Sequence, residues 1–148
     1  LGHHASIAAL AFAFVLLGIG IGASETVTND LIISTAPADK AGAASAMSET
    51  AYEIGAVLGT AVLGTILATT YRAHVVVPDG LSSSAHVAAQ ETLGGAVAAA
   101  GQLGGGAGQA LLESARAAFD SGVTITAGVA AVLMVVAAAG ALVMLKRR

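Results

Sequence analysis

The sequence contains no cysteine and no tryptophan, only two prolines, and few charged residues. Without cysteine, disulfide frameworks and thiol-ligated metals are excluded. Charged side chains make up 10% of the chain, whereas soluble domains carry about 25%. Hydrophobic residues reach 56% and the mean hydropathy is +0.85. The chain therefore has too few charges to build the polar shell of a soluble domain, and the lipid bilayer is its expected partner.

Several functional classes lack their signatures. The six basic residues are scattered and the net charge is −3, so we expect no nucleic-acid partner. No histidine has a partner at ligand spacing, and no P-loop or nucleophile triad is present, so we expect no metal, no cofactor and no enzyme activity. The chain does not begin with Met, and we expect it to be a segment whose upstream part is missing.

Three stretches without a charged side chain are long enough to cross a bilayer. They are residues 1–24, 54–71 and 121–145. A spanning helix needs about 20 mainly apolar residues. With their flanking residues, these runs predict an all-α membrane protein with transmembrane helices at residues 5–30, 43–71 and 121–145.

The segments between and after the spans are more polar. Residues 31–42 predict a short loop, because Pro37 and Gly42 interrupt the helical pattern on either side of two charges. Lys146, Arg147 and Arg148 follow the third span, and basic residues favour the cytoplasmic side. Residues 146–148 are thus predicted to be a cytoplasmic tail. Because each span crosses the membrane once, a cytoplasmic tail places residues 72–120 outside and residues 31–42 in the cytoplasm.

The long segment at residues 72–120 has clustered serines and glycines. It predicts two helical stretches, at residues 84–100 and 109–119, with a turn at residues 104–106. Ser83 or Ser84 is the expected N-cap of the first stretch. A helical hairpin outside the bilayer is the preferred interpretation, and a flexible Ala/Gly loop is the alternative.

Glu49 and Glu53 interrupt the second span. Four residues apart on a helix, they lie about 40° apart on one face. Glu53 would lie ~15 Å from the cytoplasmic end of the span, where a lipid-facing charge costs at least ~2.5 kcal/mol. Such a pair is expected to bind and release protons, or to attract a cationic substrate when ionised. Alternatively, Glu49 lies at the membrane interface and Glu53 pairs with a basic residue on a missing helix.

Three neighbours of this pair are further candidates. Tyr52 offers a hydroxyl and a ring for substrate contact, or simply packs. Gly55 and Gly59 form a small-xxx-small pair that predicts close helix packing.

Residues 36–55 (APADKAGAASAMSETAYEIG), followed by Leu58-Gly59 and residues 61–64 (AVLG), resemble the major facilitator superfamily. More narrowly, they are similar to the 14-helix drug:proton antiporters of the EmrB/QacA type, in the branch of QacA and SmvA. Residues 115–120 (ARAAFD), which lead into the third span, carry the same resemblance. The matching positions cover the end of the first span and all of the second.

The resemblance implies that the spans are helices 12, 13 and 14 of a multi-pass transporter in the bacterial plasma membrane. It also implies an external hairpin between the last two helices and a cytoplasmic C-terminus. Members of the family export lipophilic cations, such as quaternary ammonium compounds and dyes, against proton influx. Acidic residues of helix 13 take part in protonation or cation recognition, and this role is carried over to Glu49 and Glu53. Missing N-terminal helices of the same chain would complete the pathway, because alternating access needs two bundles.

A second hypothesis is a small standalone membrane protein with a structural or regulatory role and no transport. It would use its Gly and Ala faces to oligomerise. The coding sequence upstream of Leu1 distinguishes the two, because about eleven further spans favour the transporter.

Overall fold

A computed structural model describes residues 7–146, without the side chain of Leu145. The helices are α1 (Ile7–Thr35), α2 (Ala41–His74), α3 (Ser83–Glu91), α4 (Leu93–Leu103) and α5 (Gly105–Lys146), with a 3-10 turn at Ala38–Lys40. The described residues contain no strand. The prediction of an all-α protein is confirmed. The predicted start of the first span at residue 5, His3 and His4, and residues 147–148 of the tail lie outside the described residues.

Three of the helices are long and apolar enough to cross a membrane. They contain 29, 34 and 42 residues in α1, α2 and α5, which corresponds to about 44, 51 and 63 Å at the rise of an α-helix. The hydrocarbon core of a bilayer is about 30 Å thick. The prediction of three spanning helices is therefore confirmed by length and composition, and α5 is about twice as long as a span requires.

The first part of α1, residues 7–23, is apolar on every side. None of its residues is buried, and Phe12, Phe14 and Ile19 are each more than 60% exposed. A helix at the surface of a soluble protein keeps a polar stripe toward water. The surroundings that suit α1 are therefore lipid tails and other apolar helices.

The connection between α1 and α2 is shorter than the predicted loop at residues 31–42. Helix α1 continues to Thr35, because residues 31–35 contain neither glycine nor proline to end it. The chain then turns at Pro37, whose carbonyl accepts a hydrogen bond from the Lys40 amide at 2.8 Å. Helix α2 begins directly afterwards, at Ala41.

The chain divides into two compact units, Leu1–Gly59 and Thr60–Arg148. The first contains α1 and the first part of α2. The second contains the rest of α2 together with α3, α4 and α5, and it holds the buried core. We call residues 75–119 the cap. The core joins the cap to the end of α2, and its buried residues are Tyr71, Ala89, Ala96, Ala99, Ala100, Leu111, Ala115 and Ala118.

Small side chains dominate this core, and they allow the three cap helices to approach closely. Helix α3 packs on α4, and α4 packs on the first part of α5. Gly108 is buried, and a methyl group there would lie 2.5 Å from the Ala100 carbonyl oxygen. The tight packing of α4 on α5 thus depends on the absence of a side chain at Gly108.

The first helical stretch of the cap differs from its prediction at residues 84–100. Its N-cap is Ser82, rather than Ser83 or Ser84, and the Ser82 hydroxyl accepts a hydrogen bond from the Ala85 amide at 3.3 Å. The helix also breaks at Thr92, which is extended (φ −146°, ψ 149°) and caps α4 by accepting from the Gly95 amide at 2.9 Å. The chain therefore forms two short helices, and Gly95 of the second lies close against the Ala88 carbonyl of the first.

The second stretch also differs from its prediction at residues 109–119. It is the beginning of α5, which continues unbroken to Lys146. The turn before it is narrower than residues 104–106, because α4 ends at Leu103 and α5 already starts at Gly105. Gly104 and Gly105 have φ values of 63° and 50°, which only glycine adopts readily. Two adjacent glycines are therefore enough to reverse the chain.

Leu111 is the only large side chain in the described core that is completely buried. We expect Leu111→Ala to destabilise the cap by about 2–5 kcal/mol, because it leaves a cavity among alanines that are too small to fill it. Hydrogen exchange of cap amides in lipid nanodiscs measures this change. Val97→Ala, at a side chain that is 52% exposed, is the control. Equal exchange rates in the two variants would contradict the assigned core.

Candidate functional site

Glu49 and Glu53 lie on α2, one turn apart, as their spacing predicts. Both side chains are exposed, and within residues 7–146 neither carboxylate has a hydrogen bond or an ion pair. The surrounding turns carry mainly small and apolar side chains, such as Met47 and Ile54, which are 75% and 54% exposed. The helix therefore presents two unpaired carboxylates from an otherwise weakly polar surface.

Tyr52 accompanies these carboxylates on α2. Its side chain is 56% exposed, and its hydroxyl has no hydrogen-bond partner among the described residues. At 100° per residue, Tyr52 lies about 60° from Glu49 and 100° from Glu53 around the helix axis. The hydroxyl and the ring face are thus free, on the same half of the helix as Glu49.

Gly55 and Gly59 lie on the face of α2 that carries Tyr52, about 60° and 20° from it around the helix axis. Around the helix axis they are about 160° and 120° from Glu53. A methyl group added at either glycine would have no atom within 4 Å. The described residues therefore leave this small-residue face uncovered, and its role in helix packing stays a prediction.

Close helix packing occurs at Gly122, which the sequence analysis did not single out. Gly122 lies on α5 against α2, and a methyl group there would be 2.7 Å from Leu67 Cδ1 and 3.2 Å from the Leu67 carbonyl oxygen. Thr70 Cβ would be 3.7 Å away. No spacing motif marks this glycine, because it contacts a helix that is distant in sequence.

One hydrogen bond attaches the cap to the end of α2, a second joins the first residues of the cap to α5, and neither was predicted. The Tyr71 hydroxyl donates to the Ala89 carbonyl oxygen of α3 at 2.8 Å, and the Tyr71 side chain is only 2% exposed. The Val76 amide donates to the Ser114 hydroxyl of α5 at 2.8 Å. The position of Tyr71 at the end of a span was the one available signal, because a buried tyrosine usually finds a hydrogen-bond partner.

Comparison with known proteins shows what the chain is related to. It is 53% identical over 137 residues to the multidrug efflux pump LfrA of Mycolicibacterium smegmatis, which covers 93% of this chain and 27% of the pump. It is 38% identical to the methyl viologen resistance protein SmvA of Salmonella typhimurium, over 70% of this chain and 21% of that protein. It is also 38% identical to the tetracenomycin C resistance and export protein of Streptomyces glaucescens, over 87% of this chain and 25% of that protein.

The chain is thus homologous to a segment of proteins that are named for drug efflux, resistance and export. The sequence-based prediction of kinship with multidrug exporters, and with the SmvA branch in particular, is confirmed. The chain spans about a quarter of the length of these relatives. No family model matches it, and no solved structure matches it. Three span-length helices and efflux relatives together indicate a multi-pass membrane protein.

Proposed function

We propose that this chain is the C-terminal segment, helices 12–14, of a proton-coupled multidrug efflux transporter. The observation that carries the proposal is the 53% identity to a multidrug efflux pump over 93% of the chain. The relatives are transporters, and the protein proposed here is likewise no enzyme. A standalone structural role is not favoured, because the homology extends through all three long helices.

The substrates proposed are lipophilic cations, such as quaternary ammonium compounds and dyes. A relative named for methyl viologen resistance supports this class, since methyl viologen is itself a dication. The unpaired Glu49 and Glu53 also favour cationic substrates, because carboxylates attract cations strongly where water is scarce. Tyr52 adds an aromatic face beside Glu49, and such faces bind quaternary ammonium groups.

Glu49 and Glu53 are also the residues proposed to carry protons. Ionised carboxylates are costly inside a membrane, so a carboxyl group there is retained for proton transfer or for binding. A proton and a cation that compete for one carboxylate give a simple basis for exchange, since binding of either displaces the other.

The proposed orientation places the C-terminus in the cytoplasm and the cap outside, in the plasma membrane of a bacterium. Lys146 ends α5 at one side. The proposed external segment at residues 72–120 contains only Arg72 and Arg116 as lysine or arginine residues. Basic residues are enriched on the cytoplasmic side of spans, which supports this assignment.

The test is transport by the complete reading frame, expressed in a bacterial strain that lacks its own drug pumps. We expect export of ethidium and of a quaternary ammonium antiseptic, and we expect a protonophore to abolish it. Dye retention equal to that of the empty-vector strain would contradict the proposed export. Export that persists after the proton gradient has collapsed would contradict proton coupling.

A further inference from the structure

Glu25 lies on α1 at a depth where a carboxylate is costly. Helix α1 continues to Thr35 instead of ending near residue 30, so Glu25 is about 15 Å from the end of the helix. It is also about 6 Å from the midpoint of α1 at Ile21, whereas the hydrocarbon core reaches about 15 Å to either side of its centre. Within residues 7–146 its carboxylate has no hydrogen bond or ion pair. An ionisable group at such a depth is usually retained for function.

The short connection between α1 and α2 brings Glu25 level with the acidic pair of α2. Residues 36–40 alone separate the two helices, and helices joined so closely are antiparallel neighbours. Equal distances from this turn therefore correspond to equal depths in the membrane. Measured from Ala41, Glu49, Tyr52 and Glu53 lie about 12, 17 and 18 Å along α2. All of these residues belong to the unit Leu1–Gly59.

The covered residues beside the turn show which faces of α1 and α2 are directed at each other. Among residues 7–58 every residue is exposed except for five half-buried ones, which all lie near the turn: Ile32, Ala36, Ala41, Ala44 and Ser48. Glu25 is about 20° from Ile32 around α1, and Tyr52 is about 40° from Ser48 around α2. The two faces that approach each other at the turn thus carry Glu25 and Tyr52 deeper in the span.

Asp30, the other acidic residue of α1, lies elsewhere. It is about 140° from Glu25 and about 160° from Ile32 around the helix axis, so it is directed away from the α2 side. It is also only about 8 Å from the end of α1 at Thr35. Depth and direction therefore distinguish Glu25 from Asp30, although both are exposed carboxylates of one helix.

We propose that Glu25 is a further cation- and proton-binding residue of the site that contains Glu49 and Glu53, with the Tyr52 side chain between the two helices. This role rests on the function proposed above. Tyr52 lies about 60° from Glu49 around α2, so a cation on the Tyr52 ring is flanked by Glu49 from α2 and by Glu25 from α1. Quaternary cations donate no hydrogen bond and are bound by charge and by aromatic faces, which this arrangement supplies. Without a cation, the Tyr52 hydroxyl is the donor available to the Glu25 carboxylate.

Binding of tetraphenylphosphonium, a lipophilic cation without a hydrogen-bond donor, tests this role in the complete protein in nanodiscs. We expect Glu25→Gln to weaken binding about tenfold, because it removes a carboxylate charge from the site. It should also lower the number of protons released per bound cation, since glutamine has no acidic proton, and Glu25→Asp should restore this release. Calorimetry in buffers of different ionisation enthalpy measures both quantities. Asp30→Asn is the matched control and should change the affinity by less than about twofold.

A disulfide cross-link tests the arrangement of α1 and α2 without any cation. A disulfide forms only between residues whose Cα atoms lie within about 7 Å. This chain has no cysteine, so Glu25→Cys and Tyr52→Cys are introduced together after replacement of any cysteine elsewhere in the protein, and we expect them to cross-link under mild oxidation. Val27→Cys with Tyr52→Cys is the control, because Val27 is 67% exposed and about 160° from Glu25 around α1.

The outcomes separate the role of Glu25 from the proposed function. Wild-type affinity and proton release in Glu25→Gln would overturn the role of Glu25 alone. Equal cross-linking of the two cysteine pairs, or none in either, would overturn the arrangement from which that role follows. A wild-type protein that neither binds nor exports lipophilic cations would instead overturn the proposed substrate class, and the role of Glu25 in cation binding with it.

Discussion

Glu53→Gln is expected to reduce proton-driven efflux by at least tenfold while the protein still inserts and folds. Glutamine keeps the volume and the hydrogen-bonding capacity of glutamate, but it neither ionises nor exchanges a proton. The Glu53 carboxylate has no ion pair or hydrogen bond within the described residues, so the substitution leaves no described partner unpaired. The change should therefore affect transport rather than stability, because only the charge and the titratable proton are lost.

The measurement is the rate of dye efflux driven by an imposed pH gradient in proteoliposomes that contain equal amounts of each variant. Glu113→Gln is the matched control, because Glu113 is an exposed carboxylate of the cap, outside the predicted spans. Glu49→Gln should have an intermediate effect if the two carboxylates share one proton or cation. Wild-type rates and wild-type pH dependence in Glu53→Gln would remove Glu53 from the coupling mechanism.

Gly95→Ala is expected to destabilise the cap strongly, although it adds a single methyl group. Gly95 lies in the first turn of α4, and its Cβ would overlap the carbonyl oxygen of Ala88 and lie 2.5 Å from the Ala88 carbonyl carbon. These are backbone atoms of α3, and they cannot rotate away as a side chain does. Overpacking of this kind costs about 1–3 kcal/mol, which corresponds to a roughly 5- to 150-fold rise in exchange of cap amides.

The adjacent Gly94 provides a control on the same helix. A methyl group there would have no atom within 4 Å, and alanine is a better helix former than glycine by up to about 1 kcal/mol. Gly94→Ala should therefore leave cap exchange unchanged or slow it. The same response in both variants would show that the junction between α3 and α4 is less tightly packed than its geometry indicates.

The spans could be predicted from the sequence because insertion into lipid depends on each residue separately. A charge costs about 2.5–3.5 kcal/mol at the centre of a span, so runs free of charges mark the helices directly. The ends of the helices were harder to predict. A loop was predicted to begin at residue 31, but α1 continues through residues 31–35 as a helix. Polar residues such as Ser34 and Thr35 satisfy their hydroxyls by bonding to carbonyls one turn earlier, and these bonds are compatible with helix continuation.

The cap was predicted only in outline. Its helical character follows from its alanine content and from serines near its start, but several neighbouring residues were equally plausible as caps. In the structure the N-cap of α3 is Ser82 rather than Ser83 or Ser84, and Thr92 separates α3 from α4. At Thr92 the choice depends on the space between α3 and α4, where Gly95 admits the Ala88 carbonyl. Local propensity does not contain that information.

The sequence by itself determined the three apolar helices, the two carboxylates in α2 and the kinship with drug-efflux transporters, because each depends on residue type and position along the chain. Only the tertiary structure showed that α5 is continuous with the cap, that Gly122 lies at a close helix contact, that Tyr71 fastens α2 to the cap, and that Ser114 holds the Val76 amide just beyond α2. These features depend on atoms that lie far apart in sequence and meet only after the chain has folded. Hydrogen bonds and steric contacts act over a few ångströms, so they depend on which residues become neighbours in the folded chain.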